Sequence, residues 1–141
     1  MNTAKEYLRQ LWQLDREIEI KYRDLEELRA SIGIRAMPDP DQNIGHSGGT
    51  SDPVSDMAIK IVKLEKYINK RLDKLIDLRV KITTQIDGME NRNHRNILTC
   101  RYVLMQSWDD VADSMGYSVQ NCYLIHGQAL QAFYKQYLQK D

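Results

Sequence analysis

Hydrophobic residues recur every seven positions through the first quarter of the chain. Leu11, Ile18, Leu25 and Ile32 form one series, and Tyr7, Leu14 and Leu28 hold the alternate seam positions. This spacing predicts a coiled-coil-like amphipathic helix over residues 3–32, with Lys21 as its break. Charged residues such as Glu17 and Lys21 flank the seam and read as a solvated face. Between Gly33 and Asp52 the periodicity stops. Met37-Pro38-Asp39-Pro40-Asp41 and Gly45-His46-Ser47-Gly48-Gly49 are turn and linker chemistry, which predicts a flexible linker over 33–53. The glycines do not make a phosphate loop, because no Gly-Lys-Ser/Thr follows and no strand precedes them.

A second long helix is expected over 54–89, with Pro53 at its favoured first turn and Gly88 at its end. Ile61, Ile68, Leu75, Ile82 and Met89 form one heptad series; Met57, Leu64 and Leu78 form another, interrupted by Arg71 and Gln85. Polar seam residues of this kind fix register or partner choice. Val62, Leu72, Ile76 and Ile86 widen the apolar stripe beyond a two-stranded seam, so the helix is expected to meet more than one neighbour. The two long helices can fold back antiparallel or pair between chains. A homo-oligomer held through these helices is the favoured expectation.

From Arg92 to Tyr137 the period shortens into three helices with two tight connections, a domain over 92–141. Ala112, Gly116, Cys122 and Ile125 match a helix-turn-helix: a small residue at the crossing, a glycine free to take φ > 0, then the first core positions of the second helix. Val111, Met115 and Tyr117 supply further apolar contacts. Ser107 with Asp110 resembles a capping box, and Ser118 is placed to cap the second helix. On a wheel of the last helix, Cys122, Ile125, Ala129 and Phe133 make the core face, while Gln120, Leu124, Gly127 and Gln131 point away. Gly127 in mid-helix costs about 1 kcal/mol against Ala. Its place there implies a close approach by a phosphate backbone or by another helix.

Within this domain, Ile97, Leu98, Arg101, Tyr102, Trp108, Val111, Ala112, Gly116, Ser118, Ile125, Ala129 and Leu130 resemble the fourth region of bacterial sigma factors. The long heptad-rich front and the run Y-S-V-Q-N-C-Y-L-I-H-G-Q-A-L make the whole chain similar to the ArpU/RinA-type phage transcriptional regulators. That resemblance implies a phage-type regulator acting on late phage transcription in the cytoplasm of a bacterial host. Its partners would be double-stranded DNA and, as a further candidate, the host RNA polymerase. Carried onto this chain, the base-reading positions are Val119, Gln120, Tyr123 and Leu124. Asn121 and Gln128 are placed for phosphates, with Arg92, Arg95, Arg101 and Lys135 as the nearby cations. Gln reads adenine in the major groove, and Val or Leu can touch a thymine methyl. The departure from the sigma pattern is charge, because no Arg or Lys lies between Gly116 and Phe133. Phosphate neutralisation supplies much of DNA affinity, so this neutral helix keeps two alternatives open: a protein–protein adaptor and a small DNA-packaging subunit.

Composition narrows the picture only slightly. Lys+Arg and Asp+Glu are both 20, so the net charge of zero gives no overall basicity to argue for nucleic acid. Lys60, Lys63, Lys66, Lys70 and Lys74 line the second helix, first of all as a solubilising stripe. Cys100 and Cys122 fall on apolar stripes and read as core fillers suited to a reducing compartment. No run of 18 apolar residues predicts a membrane span. His46, His94 and His126 show no metal-ligand spacing with the cysteines, and His126 reads as a structural histidine at the apolar edge of its helix. No nucleophile or paired-carboxylate motif stands out, so neither an enzyme nor a cofactor is expected. The expected architecture is all-α: a long coiled-coil-like helical pair followed by a three-helix, sigma-like helix-turn-helix.

Overall fold

The computed structural model describes residues 3–35 and 52–140. The protein is all-α, with no strand among the described residues. Helix α1 runs Thr3–Arg35 and α2 runs Pro53–Asp87. Three shorter helices follow: α3 (Arg92–Leu98), α4 (Trp108–Met115) and α5 (Val119–Phe133). The first helix continues three residues beyond its expected end at 32. Most of the expected linker, including its Gly-rich piece, lies outside the described residues. Asp52 caps α2, its carboxylate accepting from the Val54 N–H at 3.1 Å. No described helix is long and apolar enough to cross a membrane.

The chain forms two compact units. One comprises Arg16–Asp73, and the other Met1–Asp15 with Lys74–Asp141. In the first unit, Leu25, Ile61 and Ile68 are buried, with Ile18, Leu28, Ile32 and Leu64 packed around them. These are heptad positions of α1 and α2, which pair antiparallel within the chain. Polar residues at the seam find partners across it. Arg71 Nε lies 3.4 Å from Glu17 Oε1, the Tyr67 hydroxyl donates to the same carboxylate oxygen, and Arg71 stacks over the Tyr67 ring at 5.1 Å. Lys21, the break in the first seam, places its ammonium over the same ring, 5.8 Å from the Tyr67 centroid.

The second unit is larger than the expected 92–141 domain. Its core draws Leu8 and Leu11 from α1, Ile82, Ile86 and Met89 from α2, and Ile97, Leu98, Tyr102, Val111, Cys122, Ala129 and Phe133 from the C-terminal helices. Sequence alone stops this domain at residue 92 because one heptad series, Ile61 to Met89, continues unbroken. Burial instead recruits the ends of both long helices. Gln85, the other polar seam residue, accepts from the Tyr7 hydroxyl at 2.7 Å, again joining the two helices. At the end of α2, Gly88 permits a close approach: an added Cβ would stand 2.5 Å from the Tyr137 hydroxyl. The Gln136 amide donates to the Gly88 carbonyl (3.0 Å) and to the Tyr137 hydroxyl (3.1 Å), tying the last turns of the chain to this point.

Asn91 caps α3, accepting from the His94 N–H at 3.0 Å. After Leu98 the helix widens into a π-type turn over Thr99–Val103, closed by a Leu104 N–H to Thr99 carbonyl bond of 2.9 Å. Met105 then takes φ 56, the one described non-glycine residue in the left-handed region, and reverses the chain toward α4.

Candidate nucleic-acid interface

Short-range hydrogen bonds define the turns of the helix-turn-helix. Ser107 caps α4 by accepting from the Asp110 N–H at 3.2 Å. Gly116 ends α4 at φ 73, ψ 26, and the N–H groups of Gly116 and Tyr117 both return to the Ala112 carbonyl, at 2.9 and 3.3 Å. Any side chain at Gly116 would meet the left-handed penalty, so a glycine suits this turn. Ser118 then caps α5, accepting from the Asn121 N–H at 3.1 Å. Cys122, Ile125, Ala129 and Phe133 are buried, as the wheel predicts, and so is the small Ala112 of α4.

His126 joins that buried face. Its Nε2 shares a 2.7 Å hydrogen bond with the Tyr102 hydroxyl, and Trp108 meets the imidazole edge-on, centroids 4.8 Å apart. Burial, reinforced by Lys5, Arg101 and Arg9, pulls the histidine down to about 4, so it is neutral near pH 7. Burial also pushes the Tyr102 phenol up to about 12. The pair is therefore a neutral hydrogen bond that satisfies two buried groups. Cys100 and Cys122 are free thiols whose burial raises their pKa, which keeps them protonated and poorly reactive.

A second arrangement, with no advance signal in the sequence, sits beside it. Arg101 lies between two indoles, its guanidinium carbon 4.9 Å from the Trp12 ring and 4.6 Å from that of Trp108. It also donates to the Gln106 carbonyl at 2.7 Å. Trp12 stacks on Tyr102 and donates from Nε1 to the Tyr102 carbonyl at 3.1 Å. Arg101 thus serves as scaffold, clamping the turn between the third and fourth helices. Arg95 is similarly engaged, with Nη1 donating to the carbonyls of Met89 and Glu90 at 2.7 and 2.8 Å. Both cations were candidates for phosphates. A candidate contact assigned from sequence spacing could not register that nearby carbonyls already occupy them.

The remaining candidates divide by exposure. Gln120, Tyr123 and Leu124 are exposed on α5, whereas Val119 is half-buried and packs against the core. Tyr123 leans edge-on against Trp108, centroids 4.9 Å apart, which fixes its ring at the surface. Asn121 and Gln128 are exposed on α5, Arg92 is exposed in the first turn of α3, and Lys135 is exposed after α5. A Cβ added at Gly127 would meet nothing within 4 Å, so no other described helix packs directly against it. Instead an open groove of about 560 Å³ runs past Gly127, lined by Ala4, Lys5, Leu130, Gln131, Tyr134 and Lys135. Two ammonium groups, Lys5 and Lys135, therefore flank the outward face of a helix that has no cation of its own before Phe133. Lys5 escapes a sequence reading because it lies more than a hundred residues from the helix it borders.

Comparison with known proteins gives a family but no activity. The sequence profile of a family described as a protein of unknown function (DUF1492) matches residues 41–134. That span covers α2 and the whole helix-turn-helix, and the chain belongs to this family. No curated protein and no solved structure matches it.

Proposed function

We propose that the protein is a phage-type transcriptional regulator that docks α5 in the major groove of double-stranded DNA. The observation that carries this reading is the outward face of α5. It presents Gln120, Tyr123 and Leu124 at the surface, followed by an open Gly127 and a groove flanked by Lys5 and Lys135. Gln120 can form a bidentate pair with adenine, and Leu124 can touch a thymine methyl. With Arg95 and Arg101 held by carbonyls, phosphate neutralisation falls to Arg92, Lys5 and Lys135, assisted by the Asn121 and Gln128 amides. The last helix of a helix-turn-helix enters the groove in this way while its neighbours hold the backbone.

Binding to fragments of the source genome at low salt tests the reading. With about three cations available, log K should fall with log[salt] at a shallow slope of roughly −3. Gln120→Ala should reduce site preference by about 1–3 kcal/mol. Lys5→Ala and Lys135→Ala should weaken all sequences alike and flatten the slope. A folded protein that retains no fragment over bulk competitor would remove the reading.

The adaptor alternative has one observation in its favour. Tyr123 and Leu124 are 51 % and 62 % exposed and adjacent, on a helix that carries no Arg or Lys. An apolar pair of that kind also suits a protein partner such as the host polymerase. DNA retention that appears only when polymerase is added would favour the adaptor.

A further inference from the structure

Helix α2 carries a second apolar face that no described residue covers. Ile59, Val62, Ile76 and Val80 are each at least half exposed, and Leu72 is 38 % exposed at the edge of the same strip. At about 100° per residue these positions cluster on one side of the continuous helix, away from the buried seam of Ile61, Ile68 and Ile82. Between the two apolar ends the strip is polar: Lys66, Asn69 and Asp73 are all exposed on it. Neither Lys66 nor Asp73 has an ion-pair partner among the described residues.

The order of these residues reads nearly the same from either end. Val62 lies seven residues before Asn69 and Ile76 seven after. Lys66 lies three before and Asp73 four after; Ile59 lies ten before and Val80 eleven after. We propose that this face joins two copies of the chain, with the two α2 helices antiparallel about a two-fold axis at Asn69. A two-fold contact is self-complementary, each patch meeting its own copy reversed. Ile59 and Val62 then pack on Ile76 and Val80 of the partner subunit, Lys66 faces Asp73 of the partner subunit, and the two Asn69 side chains meet at the centre. Parallel pairing would set lysine against lysine and aspartate against aspartate, which opposes it. A polar Asn at the centre of a seam fixes register at a cost in stability.

The contact is modest. From Ile59 to Val80 the strip is about 30 Å long at 1.5 Å per residue. One helix pair of this length falls near the lower end of specific interfaces, so the dimer is reversible, with a dissociation constant on the order of 10 µM. The inference stands whether or not α5 binds DNA.

Sedimentation velocity of the full chain from about 1 to 200 µM should move from monomer to dimer across this range. I76D should hold the protein monomeric throughout. K66D, which faces the partner's Asp73 with a like charge, should weaken association about tenfold, as should D73K. The double variant K66D/D73K restores the opposed pair and should recover the wild-type constant to within about threefold. All three substituted side chains are exposed, so far-UV circular dichroism should stay unchanged in each variant. A wild type that is monomeric at the highest concentration overturns the proposal. So does a dimer indifferent to I76D, and so does a double variant no tighter than the singles.

Discussion

The two compact units spend the same kind of helix in opposite ways. Around α5, aromatic and aliphatic side chains close completely: Leu8, Ile82, Ile86, Tyr102, Val111, Cys122 and Phe133 are at most 1 % exposed. Among the described residues of the unit 16–73, only Leu25, Ile61 and Ile68 are buried, and the polar residues beside them form partly exposed ion pairs. Each fully buried aliphatic side chain contributes about 1.5–3 kcal/mol, whereas an exposed pair such as Arg29–Glu65 contributes at most about 1 kcal/mol. The dense unit can therefore hold a recognition face rigid. The thin unit has a register, set by Glu17, Tyr67 and Arg71, but little cohesion of its own. Apolar groups on α2 that neither core buries remain at its surface, where a second copy can use them.

The largest expected effect tests that contrast directly. Phe133→Ala should cost about 3–5 kcal/mol, because the ring touches Tyr7 and Tyr137 and its site cannot collapse. Ile68→Ala should cost about 2 kcal/mol, since water can reach the space it leaves. Urea denaturation of both variants measures the difference. Hydrogen exchange should show the amides of residues 56–72 opening at lower free energy than those of α5. Equal costs and equal protection would erase the distinction between the units.

The next effect belongs to the dense unit alone. Folded His126 titrates near 4, against an ordinary value of 6.5. As pH falls, the unfolded chain takes up the proton first, so stability rises with pH between those limits. The contribution is fully present above about 6.5 and is lost as pH falls through 4, amounting to up to about 3 kcal/mol. His126→Gln keeps a hydrogen-bonding group for Tyr102 and cannot titrate. Its stability should vary less across pH 4–6.5 than that of the wild type, in chemical denaturation at several pH values. A variant with the same pH dependence would mean the acid sensitivity arises elsewhere.

How much of this was legible beforehand follows the range of the interactions. The caps at Ser107 and Ser118, the left-handed Gly116 and the buried face of α5 are settled within a few residues, and the residue types alone predict them. The heptads of α1 and α2 were equally readable, and so was the structural role of His126, although its Tyr102 partner was not. What escaped were contacts between distant segments. Nothing near Trp12 signals that its indole will stack on Tyr102 and flank Arg101, ninety residues away. The recruitment of both long helices' ends into the C-terminal core is hidden from the sequence for the same reason, as are the capture of Arg95 by carbonyls and the placing of Lys5 beside α5.

A smaller effect marks where the dense packing ends. Ala112 is 7 % exposed where α4 crosses α5, so Ala112→Leu should overpack the crossing and cost about 1–3 kcal/mol. Gln120, on the outward face of α5, should lose less than about 0.5 kcal/mol on change to Ala. Thermal unfolding of the two variants compares them. Similar losses would mean that Gln120 is packed and unavailable to a ligand.

The smallest effect is the most informative about the outward face. Gly127 lies in the interior of α5 with nothing within 4 Å of an added Cβ. Folding alone gives no reason for a glycine here, because its φ is not in the left-handed region. Gly127→Ala should therefore stabilise the protein by about 0.5–1 kcal/mol, the ordinary difference between these residues within a helix. If a phosphate backbone comes close to this part of α5, the added methyl group should weaken DNA binding even as it raises the melting temperature. A partner meeting only Tyr123 and Leu124, one turn earlier, should bind the variant as well as the wild type. Opposite signs for stability and DNA affinity would support groove docking past Gly127. Unchanged DNA affinity in the stabilised variant would place the contact at the first turns of the helix and leave the Lys5–Lys135 groove without a part in it.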